Sequence, residues 1–209
     1  MRRYALIVSV CLFLGTAGAW GRTMKHVLVQ MPQEVLPLLS TDNLLDAVDF
    51  RDSGMRAAVK NRMGETSVLA VLTDVYARWD LSAASRAEMK LLACGRDTVV
   101  CLVHTCLTPE PMSTVAFYTL DWRPLSASRF VRVPGADAFL RPELTKGERR
   151  AVLDGLETTL VEARLSSEAD TLDFILHADG DDPERRQEQA AWLMERLSCQ
   201  WQGRRFVRK

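Results

Sequence analysis

Five short runs rich in apolar and β-branched residues follow one another with very little chain between them. They are Ser67 to Leu72, Asp74 to Asp80, Ala87 to Cys94, Thr98 to Leu107 and Thr114 to Leu120. Connections this short can join only antiparallel neighbours, because a parallel crossover needs a dozen residues or more. The sequence therefore predicts an antiparallel meander.

The run from Val99 to Val103 is apolar at every position, which is typical of a central strand, so we expect helices to cover one side of the sheet. Upstream, the pattern predicts a first strand at Lys25 to Gln30 and a short helical segment from Pro32 to Leu39. Thr41 is expected to cap a second helix that stops near Gly54.

A stretch with proline and serine, Trp122 to Pro134, divides this part from the rest. Beyond it, Thr145 and Glu148 have capping-box spacing and predict a helix that ends near Gly155. Two alternating strands follow, with apolar residues facing inward and a turn at Ser166 to Asp170.

The chain is expected to end in a helix and a hairpin. Asp182-Pro183 is a strong helix start, and Leu193, Met194 and Leu197 would form the buried stripe of that helix. The hairpin would turn around Gln202-Gly203. The predicted fold class is α+β, mainly antiparallel sheet, with parts 20–134 and 135–209 forming one compact domain or two tightly packed lobes.

The first nineteen residues predict a cleavable export signal. Arg2 and Arg3 precede an apolar run from Ala5 to Leu14, and Ala17-Gly18-Ala19 supplies the small residues before the cleavage point. The apolar run is too short for a membrane span, which needs about twenty residues. We therefore expect a periplasmic or secreted protein with no transmembrane segment after residues 1–19 are removed.

The charge balance gives no reason to expect nucleic acid as a partner. Loss of Arg2 and Arg3 leaves 25 basic against 27 acidic residues, a net charge of −2. The chain nevertheless ends in a basic cluster of Arg204, Arg205, Arg208 and Lys209. A solvated end or a charged guard on an edge strand explains this cluster, and an anion site is the alternative.

Four cysteines remain once the signal is removed, in a compartment that permits disulfides. Cys101 and Cys106 lie five residues apart on one predicted strand, about 16 Å from each other, which is too far for a bridge. Cys94 is poorly placed for Cys101, so any disulfide would recruit Cys199. Free buried thiols are the alternative.

One pair of residues suggests catalysis. His104 and Cys106 share a strand face at about 6.6 Å between α-carbons, which would suit a cysteine-dependent hydrolase or redox protein. A half-buried strand histidine is the simpler interpretation.

The densest acidic cluster could hold calcium weakly through Asp179, Asp181 and Asp182. It fails the EF-hand pattern, because Pro183 and Glu184 stand where a ligand and the obligatory glycine belong. A loop followed by a helix cap explains it as well. No cofactor is expected.

A series of packing and turn motifs runs through the chain. They are Leu44-Leu45-Asp46-Ala47-Val48-Asp49-Phe50, Asp52-Ser53, Met55, Ala57, Val59 to Asn61, Glu88-Met89-Lys90-Leu91-Leu92, Phe117-Tyr118, Asp121-Trp122, Trp201, Gly203 and Phe206. This series resembles an uncharacterised family of short exported Bacteroidales proteins, a domain of unknown function. The resemblance implies a periplasmic or secreted protein and carries over no catalytic residue.

Together these observations predict an exported, non-catalytic binding or interaction module. Its partner would be a protein or a glycan that meets an exposed sheet face or the loop from Thr108 to Ser113.

Overall fold

A seven-stranded antiparallel sheet dominates the computed structural model, which describes residues 22–178 and 191–209. Neighbours in the chain are neighbours in the sheet, in the order β1 to β7. Its strands are β1 (Ala58–Lys60), β2 (Thr66–Leu72), β3 (Tyr76–Ser82), β4 (Ser85–Cys94), β5 (Asp97–Cys106), β6 (Met112–Thr119) and β7 (Pro124–Leu125). The predicted meander is confirmed. The predicted signal, residues 1–19, lies outside the described residues.

The C-terminal part forms a second antiparallel sheet of four strands in the order β11-β10-β9-β8. Its strands are β8 (Thr159–Leu165), β9 (Thr171–Ala178), β10 (Arg196–Trp201) and β11 (Phe206–Arg208). Both predicted hairpins, around Ser166 to Asp170 and around Gln202-Gly203, are confirmed. The structure is therefore mainly β, and the α+β prediction holds only for the antiparallel sheet and the presence of a few helices.

Three α-helices occur in the described ranges: α1 (Met24–Val29), α2 (Thr41–Asp52) and α3 (Lys146–Asp154). Helix α2 is capped by Ser40, one residue before the predicted cap Thr41. The Ser40 hydroxyl accepts a hydrogen bond from the Asn43 amide, and the Ser40 amide donates to the side-chain oxygen of Asn43. Thr145 and Glu148 cap α3 in the same reciprocal way, as predicted.

The strand predicted at Lys25 to Gln30 is wrong, because this segment is helix α1. Met24, Val27, Leu28 and Met31 are buried, and their spacing is helical. The helix predicted from Pro32 to Leu39 is also wrong. This segment consists of turns, because Pro37 removes a backbone donor and disfavours helical conformation at the residue before it.

The helix predicted after Asp182-Pro183 is wrong over its described part. Leu193 forms an isolated bridge with Leu140, and Leu197 lies in strand β10. Residues Arg196–Trp201 are a strand because they pair with β9 on one side and with β11 on the other. The start of the predicted helix lies outside the described residues.

Two buried clusters lie on opposite faces of the larger sheet. The first joins residues of α1 and α2 to inward residues of β2 to β5, among them Trp79 and Met89. The second joins residues of β4, β5 and β6 to the smaller sheet, and it contains Phe117, Phe174 and Trp201. The face that carries α1 and α2 is uncovered at one end, where His104, Cys106, Met112 and Thr114 are exposed. The expected docking of a partner on an exposed face of this sheet stays a prediction.

Lys90 links the two sheets through the turn between β8 and β9. Its side chain leaves β4 and is almost fully buried at 1% exposure. Its Nζ donates to the carbonyl oxygens of Ser166 and Ala169, each at 2.8 Å, and lies 3.5 Å from Asp170 Oδ1. An ammonium group therefore fixes the turn of one sheet on the face of the other.

Replacement of Lys90 by methionine should destabilise the protein by about 2–3 kcal/mol. The substitution keeps most of the side-chain volume and removes charge-assisted hydrogen bonds, each of which is worth about 1.5–3 kcal/mol. Urea unfolding at pH 7 measures the change. Lys146→Met, on the exposed first turn of α3, is the matched control and should stay within about 0.5 kcal/mol. Equal stabilities of the two variants would refute the role of Lys90.

Candidate functional site

The predicted pair His104 and Cys106 lies on β5, but the two side chains have other partners. His104 Nε2 is 2.8 Å from Ser85 Oγ, and the Cys106 thiol donates to the carbonyl oxygen of Thr108 at 3.3 Å. No hydrogen bond joins the two side chains in the part of the chain that the structure describes. Partial burial lowers the pKa of His104. A thiol nucleophile needs contact with its base, and this geometry does not provide it.

All four predicted disulfide candidates are free thiols in this structure. Cys101 is buried, and burial raises its pKa. Burial also raises the pKa of half-buried Cys199, while Cys94 is half-buried and Cys106 is exposed. The last hairpin is instead held to the larger sheet by Trp201, whose Nε1 donates to the carbonyl oxygen of Ala93 at 2.6 Å.

The predicted calcium ligands Asp179, Asp181 and Asp182 lie outside the described residues. Within residues 22–178 and 191–209, no group of three or more His, Cys, Asp or Glu side chains is placed to hold a metal ion.

A network of charged side chains lies between β4 and the β8–β9 hairpin. Glu162 is fully buried, and its carboxylate accepts hydrogen bonds from Arg86 at 2.8 Å, from Arg164 at 2.7 and 3.1 Å, and from His177 at 3.1 Å. Burial by itself would raise the pKa of Glu162, but the hydrogen bonds from Arg164 and His177 outweigh it and lower that pKa. The saturated carboxylate leaves no acceptor for a ligand, so we assign this network a structural role.

Glu88 lies beside this network, and its pKa is shifted in the opposite direction to that of Glu162. It is 6% exposed and accepts a hydrogen bond from the Tyr76 hydroxyl at 2.8 Å. The Arg86 Nε atom is 3.9 Å from its second carboxylate oxygen. Burial raises the pKa of Glu88 despite these two neighbours. The alternation predicted for β8 sets Glu162 opposite the inward apolar face, whereas the structure buries it at the contact between the sheets.

A cavity lies at the opposite edge of the smaller sheet, beside β11. We call it the arginine pocket. Its volume is about 280 Å³, and it lies between residues 128–132 and residues 205–208. The first segment follows the 3-10 helix Ala127–Arg129, and the second contains β11. The Phe206 amide donates to the Phe130 carbonyl oxygen at 2.7 Å, which joins the two segments.

An aromatic cluster beneath the pocket explains why the two segments meet. Phe130 stacks on Phe117 with ring centroids 4.6 Å apart, and Trp201 contacts Phe206 edge to face at 5.1 Å. Phe130 and Phe206 are buried, while the arginines on either side of them remain exposed. The repeated triplets Arg129-Phe130-Val131 and Arg205-Phe206-Val207 thus have matching roles on the two walls.

The electrostatics of the arginine pocket are one-sided. Arg129, Arg132, Arg205 and Arg208 line it, and among residues 22–178 and 191–209 no acidic side chain does. Arg208 donates to the Ala138 carbonyl oxygen at 3.3 Å, and the guanidinium of Arg129 lies 5.7 Å from the Phe130 ring centroid. No salt bridge involves any of these four arginines in the described ranges. Guanidinium groups without carboxylate partners favour oxyanions, which they bind by paired hydrogen bonds.

Sequence reasoning placed Arg205 and Arg208 in the basic C-terminal cluster and favoured a solvated end over an anion site. It did not include Arg129 and Arg132, because these residues approach Arg205 and Arg208 only through tertiary packing. The repeated Arg-Phe-Val triplet was the signal that could have found them.

The fold and the pocket define a mainly antiparallel β protein in which two stacked sheets support an arginine-lined cavity. The chain belongs to the family described as "Protein of unknown function (DUF3256)", whose profile matches residues 17–206. It is similar to a solved domain of an uncharacterized protein from Porphyromonas gingivalis W83, with 26% identity over 88% of this chain and 96% of that chain and a TM-score of 0.73. No curated protein matches the chain. The resemblance to a Bacteroidales family of unknown function is confirmed.

In the described residues, no helix combines the length and the apolar character that a bilayer crossing requires.

Thiol labelling of the folded protein should distinguish Cys106 from Cys101. Cys106 is exposed and should react quickly with a thiol reagent, whereas burial and the raised pKa of Cys101 should delay its reaction until the protein unfolds. Cys106→Ser should remove the fast phase and Cys101→Ser should leave it. A labelling midpoint far below the ordinary thiol pKa of about 8.5 would instead favour the cysteine enzyme.

The same substitution at the two buried glutamates should have opposite effects. Glu162→Gln should cost about 2 kcal/mol at pH 7, because it removes the buried carboxylate that accepts from partly exposed Arg86 and half-exposed Arg164. Since the folded-state pKa of Glu162 is lowered, this cost is fully present above the ordinary Glu pKa of about 4.3 and shrinks as the pH falls through the folded-state value.

Glu88→Gln should leave the stability unchanged or raise it at pH 7. The raised pKa of Glu88 means that ionisation in the folded state costs free energy, and this cost develops as the pH rises from the ordinary Glu pKa through the folded-state value. Unfolding of both variants from pH 4 to 8 measures the difference. A loss of stability at pH 7 as large for Glu88→Gln as for Glu162→Gln would contradict the assignment.

Proposed function

We propose that this protein is an exported, non-catalytic binding module whose ligand carries oxyanion groups, and that the arginine pocket is its binding site. Residues 1–19 would act as a cleavable signal, so the module would work in the periplasm or as a secreted protein. The observation that carries the proposal is the convergence of four arginines on a cavity that no acidic side chain of the described residues lines.

The charge around the pocket supports a local attraction. The chain without its signal would have a net charge of −2, so long-range steering of anions by the whole molecule is not expected. At physiological salt the screening length is about 8 Å, so only the arginines at the pocket act on a bound group. Binding should therefore depend on these side chains and on ionic strength.

The size of the cavity also limits the ligand. Pockets that enclose drug-sized molecules measure about 300–1,000 Å³, and the arginine pocket at about 280 Å³ lies just below this range. It suits one or two sulfate, phosphate or carboxylate groups of a larger molecule. The remainder of that molecule would lie across the exposed arginines.

The alternative, a cysteine-dependent hydrolase or redox protein that uses Cys106 and His104, receives less support. His104 contacts Ser85, and no carboxylate orients its second ring nitrogen in the described residues. The binding module is therefore the better account of the exposed polar side chains.

The test is calorimetric titration at low salt with three probes: inorganic sulfate, a short sulfated oligosaccharide and a glutamate-rich peptide. At least one probe should bind, and Arg129→Ala or Arg205→Ala should weaken its binding by about tenfold or more, as expected for the loss of a charge-assisted hydrogen bond. Arg204→Ala is the matched control, because Arg204 neighbours Arg205 in the chain but does not line the pocket.

Binding that falls equally in Arg204→Ala and Arg205→Ala would assign the effect to general charge and refute the site. Failure of all three probes to bind would refute the proposed function.

A further inference from the structure

The backbone of β11 presents an open edge inside the arginine pocket. Within the β10–β11 pair, the Gln202 amide donates to the Arg205 carbonyl oxygen and the Lys209 amide donates to the Ser198 carbonyl oxygen, each at 3.0 Å. Hydrogen-bonded and non-hydrogen-bonded pairs alternate in an antiparallel ladder. The backbone groups of Phe206 and Arg208 therefore point away from β10, towards the free edge of the sheet.

Only part of this edge is covered. The Phe206 amide donates to the Phe130 carbonyl oxygen, which agrees with the outward direction of this residue. The Arg208 amide has no hydrogen-bond partner in the described part of the chain. Residues 128–132 accompany β11 at Phe206, and the cavity separates the two segments nearby. The pocket thus combines guanidinium groups that form no salt bridge in the described ranges with a β-sheet edge that is uncovered at Arg208.

The arginines stand on both walls beside this edge. Arg208 belongs to β11, and Arg205 lies in the bend that precedes it. Arg129 and Arg132 stand on the opposite wall of the pocket. A ligand that follows the edge would meet positive charge on both of its sides.

Building on the proposed function, we propose that the arginine pocket binds an extended acidic segment of a partner protein, which adds as a strand to the edge of β11 at Arg208. A peptide backbone supplies the alternating donors and acceptors that a strand edge requires, and a sulfate group or a sugar does not. Because arginines stand on both walls of the pocket, the segment should carry several acidic residues.

The experiment compares two peptides of equal charge in titrations of the purified protein. One is a ten-residue peptide of Asp and Glu, and the other is the same peptide with N-methyl groups on alternate backbone amides, made in both registers. Strand addition uses the amides of one register only. One methylated register should therefore bind about tenfold more weakly than the parent peptide, while the other register should bind as the parent does.

A substitution at the edge gives a second readout. Arg208→Pro removes the guanidinium and the edge amide, whereas Arg208→Ala removes only the guanidinium. Proline is compatible with an edge-strand position whose amide points outward. Arg208→Pro should bind the acidic peptide several-fold more weakly than Arg208→Ala, and the two should not differ towards inorganic sulfate. If Arg208→Pro fails to fold, the methylated peptides decide the question.

Equal binding of the parent peptide and both methylated registers would overturn strand addition. Tighter binding of the sulfated oligosaccharide than of the peptide would also overturn it in favour of a glycan, and in both cases the pocket would remain an anion site. If no probe binds, the proposed function fails together with this inference.

Discussion

The structure depends on the burial of polar side chains from β4 against the smaller sheet. The ammonium group of Lys90 exchanges its water for hydrogen bonds to carbonyl oxygens of the β8–β9 turn. The guanidinium group of Arg86 exchanges its water for a hydrogen bond to the carboxylate of Glu162. A buried charge without such partners would cost several kcal/mol, so these contacts permit only one placement of the second sheet. The apolar cluster between the sheets supplies most of the burial, and the charged contacts fix its register.

That register determines where the arginine pocket forms. Trp201 reaches the larger sheet at Ala93 and also contacts the ring of Phe206. Phe130 enters the same cluster from the chain that follows the larger sheet, and it stacks on Phe117 of β6. The two Arg-Phe-Val triplets therefore meet because their phenylalanines share one aromatic cluster. Their arginines are brought together as a consequence and have no mutual attraction that could do so.

The parts of the fold that depend on local signals could be predicted from the sequence. The meander followed from short connections, and α3 followed from the capping box at Thr145. Helix α1 was missed because six residues are too few to separate a strand period from a helical one. Lys90 and Glu162 were missed because alternation marks a polar face without showing whether water or another sheet covers it. The pocket was missed because its two walls are distant in the chain.

The arginines around the free edge of β11 explain how a short exposed strand can avoid general association and still bind one class of partner. An uncovered β-strand edge tends to pair with any available strand, and natural proteins protect such edges with charged residues. On β11, four arginines around the edge repel basic segments, while aliphatic segments gain nothing from them. An acidic segment satisfies both the backbone donors and the guanidinium groups. The arginines that protect this edge from general association therefore also select the partner in the proposed strand addition. One set of side chains would serve both purposes.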